Sequence, residues 1–344
     1  MNIEHLASEL VRALRGRRSQ LAFSRRLGYQ SNVVGTWETG RRWPSASEAL
    51  RAASVAGVDV RAALTRYYRT LPAWIAELEP TSPALVARFL EAERGRTPVT
   101  TIAARSGLNR FSVSRWLSGS CEPRLPDFLR LVDATSLRLP DFLAAFVDPA
   151  TMPSMATTWS HREAQRTLAI DEPWSQAVLR LLELPGSPGD PATIAARLGL
   201  DLATTRRCLQ GLAHTGQAVR GRGVWRATGV TALDTRRDEA SARRLKSFWG
   251  GVAAQRFEAG APGDLAFNVV GVSLEQWARI EELRAAYYNA VRAVVAEDVP
   301  AECVVLLTMG MARLDAPATG GVAGGCPPAP QQIRRVRYGN GSPS

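Results

Sequence analysis

The feature that most constrains this chain is a pattern it states twice. GYQSNVVGTWETGRRWP, residues 28–44, returns 79 residues later as GLNRFSVSRWLSGSCEP, residues 107–123. Across Ser24–Pro44 and Ala103–Pro123, six of 21 paired positions are identical: Arg26/Arg105, Gly28/Gly107, Val34/Val113, Trp37/Trp116, Gly40/Gly119 and Pro44/Pro123. Their roles coincide as well. In each copy a short helical run ends at a glycine, the residue a left-handed C-terminal cap favours. A second run opens with polar residues, sets Val and Trp three apart on one face, and stops at another glycine. A proline four residues on prevents that helix from continuing.

A third copy follows. TIAARSGL at residues 101–108 reappears as TIAARLGL at 193–200, with seven of eight positions identical. Asp201 then has the chemistry of an N-cap for the next helix. The stretch HTGQAVRGRGVWRATG alternates and is broken by glycines, which predicts a β-hairpin. The expected fold is therefore mainly α: tandem helix-turn-helix bundles, a winged helix, and a small α/β C-terminal module.

The corresponding boundaries are 1–72, 80–150, 165–230 and 231–314, followed by a Gly- and Pro-rich tail, 315–344, expected to be disordered. DPATMPSMATTWS, residues 148–160, reads as a loose connection. In the C-terminal module, DLAFNVVGVS and ECVVLLTMGMARL have the composition of strands. Between them SLEQWARIEELRAAYYNAVRAVVAED has that of an amphipathic helix. Trp277, Tyr287 and Tyr288 on that helix either pack a core or line a pocket for a small-molecule effector.

Charge narrows the choice of partner. The net charge is +11, and 43 side chains are Lys or Arg, of which only Lys246 is lysine. Such an excess favours an anionic partner. Residues 227–314 are the exception, with ten basic and eleven acidic side chains, a balance better suited to a protein interface than to phosphate. The expected partners are double-stranded DNA and, through 231–314, a second copy or another protein. Other classes find little support. The four cysteines lie far apart without metal-ligand spacing. His5, His161 and His214 stand in separate segments with no nucleophile motif beside them, and TGGVAGG at 319–325 lacks the Lys-Ser/Thr of a phosphate loop. Neither an enzyme, a cofactor nor a metal is expected. No apolar run approaches the ~20 residues of a membrane span, and the first residues lack a signal-peptide core, so a cytoplasmic location is expected.

A helix-turn-helix places its second helix in the major groove, where side chains at its start and one turn later face base edges. In copy one these are Gln30, Ser31, Asn32 and Thr36, with Arg41 and Arg42 placed for phosphates. Gln and Asn suit adenine in bidentate fashion. Copy two offers Asn109, Arg110, Ser112 and Arg115, with Phe111 either packed or touching a thymine methyl. Copy three offers Thr204, Thr205, Arg206 and Arg207 on the helix, and Arg220, Arg222 and Arg226 on the wing. Because the sets differ, a tandem pair would read two unlike half-sites, about one DNA turn (~34 Å) apart if it mimics a dimer.

The stretch LAFSRRLGYQSNVVGTWETGRRWPS resembles the Cro/C1 repressor type of helix-turn-helix, including its Trp-Glu-x-Gly-x-x-x-Pro ending. Copy two departs from it where Leu117 takes the place of Glu38. The region from about Trp174 to Leu314 resembles the C-terminal part of an uncharacterised bacterial family of transcriptional regulators. There a Cro-like domain precedes a winged helix and a small α/β module. The resemblance implies a sequence-specific, DNA-binding transcriptional regulator. The alternative is an adaptor whose helix-turn-helix bundles hold other proteins.

Overall fold

Side-chain caps start most helices of copy one. The computed structural model describes residues 2–68, 72–228, 238–266, 268–295 and 300–315. Copy one comprises α1 (Ile3–Arg15), α2 (Gln20–Arg26), α3 (Val33–Glu38), α4 (Ala46–Ala56) and α5 (Val60–Tyr68). Asn2, Ser19 and Asn32 each accept a hydrogen bond from a first-turn N–H, and Ser45 with Glu48 closes a capping box on α4. A short α6 (Ala73–Glu77) leads to copy two: α7 (Pro83–Arg94), α8 (Val99–Ser106), α9 (Arg110–Leu117), α10 (Leu125–Ser136) and α11 (Leu139–Ala144). The turns before α3 and α9 pass through Gly28 and Gly107 at φ +84° and +66°, a region a Cβ disfavours.

Read from sequence as units of their own, 1–72 and 80–150 share one hydrophobic core that runs from Leu6 to Met155. At its middle Tyr67, Phe89, Phe128 and Phe142 meet with ring centroids 5.4–5.9 Å apart, the spacing of favourable tilted and edge contacts. The supposed loose connection is for the most part a helix. After a single 3₁₀ turn at Pro149–Thr151, α12 spans Pro153–Asp171. Pro153 occupies its first position, where the missing N–H costs nothing. Met152 and Met155 are buried in the first core, and Leu168 packs on the next one.

That second core belongs to α13 (Trp174–Glu183), α14 (Pro191–Leu198) and α15 (Leu202–His214), with a hairpin of β1 (Ala218–Gly221) and β2 (Val224–Ala227). The strands pair antiparallel, Ala218 opposite Ala227 and Gly221 opposite Val224. Arg222 and Gly223 make the two-residue turn with φ of +51° and +84°, the signs of a type I′ hairpin. Helix, turn, helix and wing follow in order.

Beyond the wing lie α16 (Glu239–Glu258) and α17 (Leu274–Val295). Trp174 meets Phe248 and Trp249 edge-on, at 6.1 and 5.4 Å, which holds α16 to the winged helix. The architecture is mainly α with one small sheet, and that sheet is the wing. The segments 264–273 and 302–314, read as strands, carry no strand among their described residues. Apolar composition does not make a strand without a neighbour to take its N–H and C=O groups. Tyr287 and Tyr288 are 50% and 61% exposed, so they pack no core. Residues 309–344 form a separate unit. In its described part, 309–315, Arg313 pairs with Asp315 at 3.1 Å, and the tail from 316 lies outside the described residues.

Candidate nucleic-acid interface

In copy one a chain of polar side chains holds α3 in place. The buried Ser24 hydroxyl donates to the Gln20 carbonyl at 2.8 Å and accepts from Val34 N–H at 3.0 Å, tying α2 to the start of α3. Asn32 Oδ1 accepts from Gly35 N–H at 3.0 Å, while Asn32 Nδ2 donates to Gln20 Oε1 at 3.2 Å. Gln20 Nε2 in turn donates to the Glu38 carboxylate at 2.7 Å. Glu38, 3% exposed, also accepts from Arg15 Nε at 2.5 Å. The Asn32 amide is thus engaged at both ends. It is the N-cap of α3, and its side chain stays exposed. Sequence reasoning does not single out Gln20, whose one signal is its place beside the cap Ser19.

Gln30 and Ser31 are exposed in the turn before α3, and Arg41 and Arg42 are exposed after it. Thr36 is half-buried, with its hydroxyl donated to the Val33 carbonyl at 2.7 Å. In copy two Asn109 caps α9 by accepting from Phe111 N–H at 2.9 Å. Arg110 and Arg115 are exposed, Ser112 is half-buried, and Leu117 is buried where copy one has Glu38. Phe111 is 76% exposed. A large apolar ring left in solvent on this helix stands out, and the packed alternative for it does not hold.

In copy three the structure separates the candidates. Thr205 is wholly buried, because it shares the inward face of α15 with Cys208, Leu209 and Leu212; it cannot reach a ligand. Thr204 is spent on the cap: its N–H and hydroxyl both reach the Asp201 carboxylate, at 2.7 Å each. Those bonds hold the Asp201 carboxyl below its ordinary range. Arg207 is exposed but donates to Glu172 at 3.0 Å and to the Thr204 hydroxyl at 3.2 Å, and the Glu172 bond keeps its guanidinium more firmly protonated. Arg206, Arg220, Arg222 and Arg226 are exposed. Arg206 and Arg220 face a groove of about 490 Å³ between α15 and the wing, shared with Asp190, Leu202, Gln210 and Trp225.

Residues 176–221 match the IclR helix-turn-helix domain. The match runs from the first turn of α13 to the end of β1, and so covers the helix-turn-helix and the first strand of the wing. It supports DNA-binding transcriptional regulation, with DNA as the partner of this unit. No curated protein and no solved structure matches the chain. Among the described residues no helix is long and apolar enough to cross a membrane.

Proposed function

We propose that this chain is a sequence-specific transcriptional regulator that reads double-stranded DNA through two Cro/C1-like helix-turn-helix copies and a winged helix, without catalytic activity. The observation that carries the reading is the IclR-type match on a unit whose helix and wing present Arg206, Arg220, Arg222 and Arg226 to solvent. Guanidinium groups on a recognition helix and a wing suit base edges and phosphates respectively. Copies one and two support it with the same local geometry: a capped second helix, a polar or basic exposed face, and arginines just beyond α3.

The near-neutral region from 231 serves self-association in this reading. Phe257, Leu274, Leu283, Val294 and Val295 are each more than half exposed, an apolar surface that a second chain would cover. The test of function is selection of bound duplexes from a random library at ~150 mM salt, which suppresses counterion-driven binding. An enriched consensus is expected. Binding that is sequence-blind and lost by ~200 mM salt would refute the regulator and leave the protein adaptor.

A further inference from the structure

Copies one and two meet in a way that a string of independent modules does not require. A residue of copy one corresponds to the residue 79 positions on in copy two. At their seam Ala46 N–H donates to the Pro123 carbonyl at 3.0 Å, and Leu125 N–H donates to the Pro44 carbonyl at 2.9 Å. Ala46 and Leu125 are counterparts, as are Pro44 and Pro123. Ser45 and its counterpart Arg124 lie opposite one another in an antiparallel bridge. The helices repeat the exchange. α1 packs on α10 while its counterpart α7 packs on α4, and the counterparts α5 and α11 pack on each other. Arg66 donates to the carbonyl of Ala145, again its own counterpart, at 2.7 Å.

Reciprocal contacts of this kind define an isologous, twofold pair; here both partners belong to one chain. A twofold rotation preserves height along its axis. It therefore sets α3 and α9 at one level, on opposite sides of the axis and related by a half-turn. B-DNA carries local twofold axes of its own, and half-sites spaced by a helical turn are matched by a protein pair with that symmetry.

We infer that one chain is a complete two-headed reader: α3 and α9 engage successive major-groove segments of a single duplex as one rigid unit, with no second chain. This rests on the reading of the two copies as DNA-binding. The rigidity comes from the shared core and the backbone bonds at Pro44 and Pro123. The two half-sites differ in sequence, because α3 is flanked by Gln30, Ser31 and Arg41 where α9 carries Arg110, Phe111 and Arg115.

The experiment uses the full chain and the duplex enriched from the random library, with about half a turn (5 base pairs) or a full turn (10 base pairs) inserted between the halves. One two-part duplex per chain is expected by native mass spectrometry, as a 1:1 complex or, where chains self-associate through the region from 231, as two chains holding two duplexes. Both insertions should reduce affinity by about 10²–10⁴-fold, to that of one half alone, because the second head no longer benefits from effective concentration. Recovery of affinity at the full-turn insertion would mean independently tethered heads and overturn the inference. So would two chains per two-part duplex, or a one-part consensus bound at full affinity. Absence of any enriched sequence overturns both this inference and the reading beneath it.

Discussion

Glu38→Ala probes what holds α3 in place. The carboxylate is 3% exposed and accepts from Arg15 Nε at 2.5 Å, Gln20 Nε2 at 2.7 Å and Arg15 Nη2 at 3.3 Å. Truncation leaves a guanidinium and an amide facing a void. Breaking one side of a buried pair costs about 3–5 kcal/mol. Arg15, however, is 21% exposed and also donates to the carbonyls of Gly16 and Arg18, so water and those partners recover part of the loss. The expected cost is about 2–4 kcal/mol. Glu38→Leu should cost less, by ~1 kcal/mol, because it fills the space that Ala leaves empty, although Arg15 and Gln20 lose their acceptor in both variants. Copy two already uses that solution, with Leu117 6% exposed at the equivalent place. The assay is thermal melting. For a unit of this size 1 kcal/mol corresponds to about 2–4 °C, so Glu38→Ala should lower the midpoint by roughly 4–16 °C. An unchanged midpoint would show that the cluster contributes nothing. Equal losses for Ala and Leu would refute the argument that the two copies pack alike at this position.

Three further outcomes are expected. If Phe111 reads a thymine methyl, replacing dT by dU in the half-site under α9 should weaken binding about 3–5-fold, the worth of one buried methyl, and Phe111→Ala should abolish that difference; an identical effect in both proteins would remove Phe111 from the interface. The hydrogen bond from Arg130, across the seam between the copies, holds the Glu4 carboxyl below its ordinary 4.5. A depressed folded value means the stabilisation is complete above pH 4.5 and is lost as pH falls through the folded value. Urea midpoints of Glu4→Gln should therefore fall less steeply than wild type on acidification, and parallel curves would show that the pair has no such role. Burial pushes the Cys208 thiol up to about 12. A maleimide at pH 8 should therefore label exposed Cys303 and spare Cys208 until the winged-helix core unfolds, whereas prompt native labelling of Cys208 would contradict the core described here.

The repeat was legible because its determinants are local: a glycine at the turn, Val and Trp on one face, a proline beyond. Features set by distant partners were not. The Ser- and Thr-rich stretch with two prolines resembles a loop, yet Pro153 starts α12 because Met155 has the first core to enter. The segments at 264–273 and 302–314 carry the residues of strands without a neighbouring strand to pair with. At the candidate interface the difficulty was one of direction and of competing bonds. Thr205 lies one residue, about 100° of helix, from the exposed Arg206. Arg207 is held by Glu172, 35 residues away. Asn32 has the chemistry of a base reader and of a helix cap alike, and only the position of Gly35 N–H shows that it caps α3. The seam at Pro44 and Pro123 is the least legible of all, since nothing in either copy alone announces that it will meet the other.

That seam has a consequence for how such a protein diverges. When two identical chains form a pair, any mutation in a recognition helix appears twice, and both halves of the target must change with it. Covalent fusion removes the obligation. If α3 and α9 read the two halves as inferred above, a codon change at Arg110 leaves Ser31 as it was, so each half of the target changes alone while the other half keeps the protein in place. Fifteen of 21 aligned positions differ between the copies, while the prolines that carry the seam are the same in both.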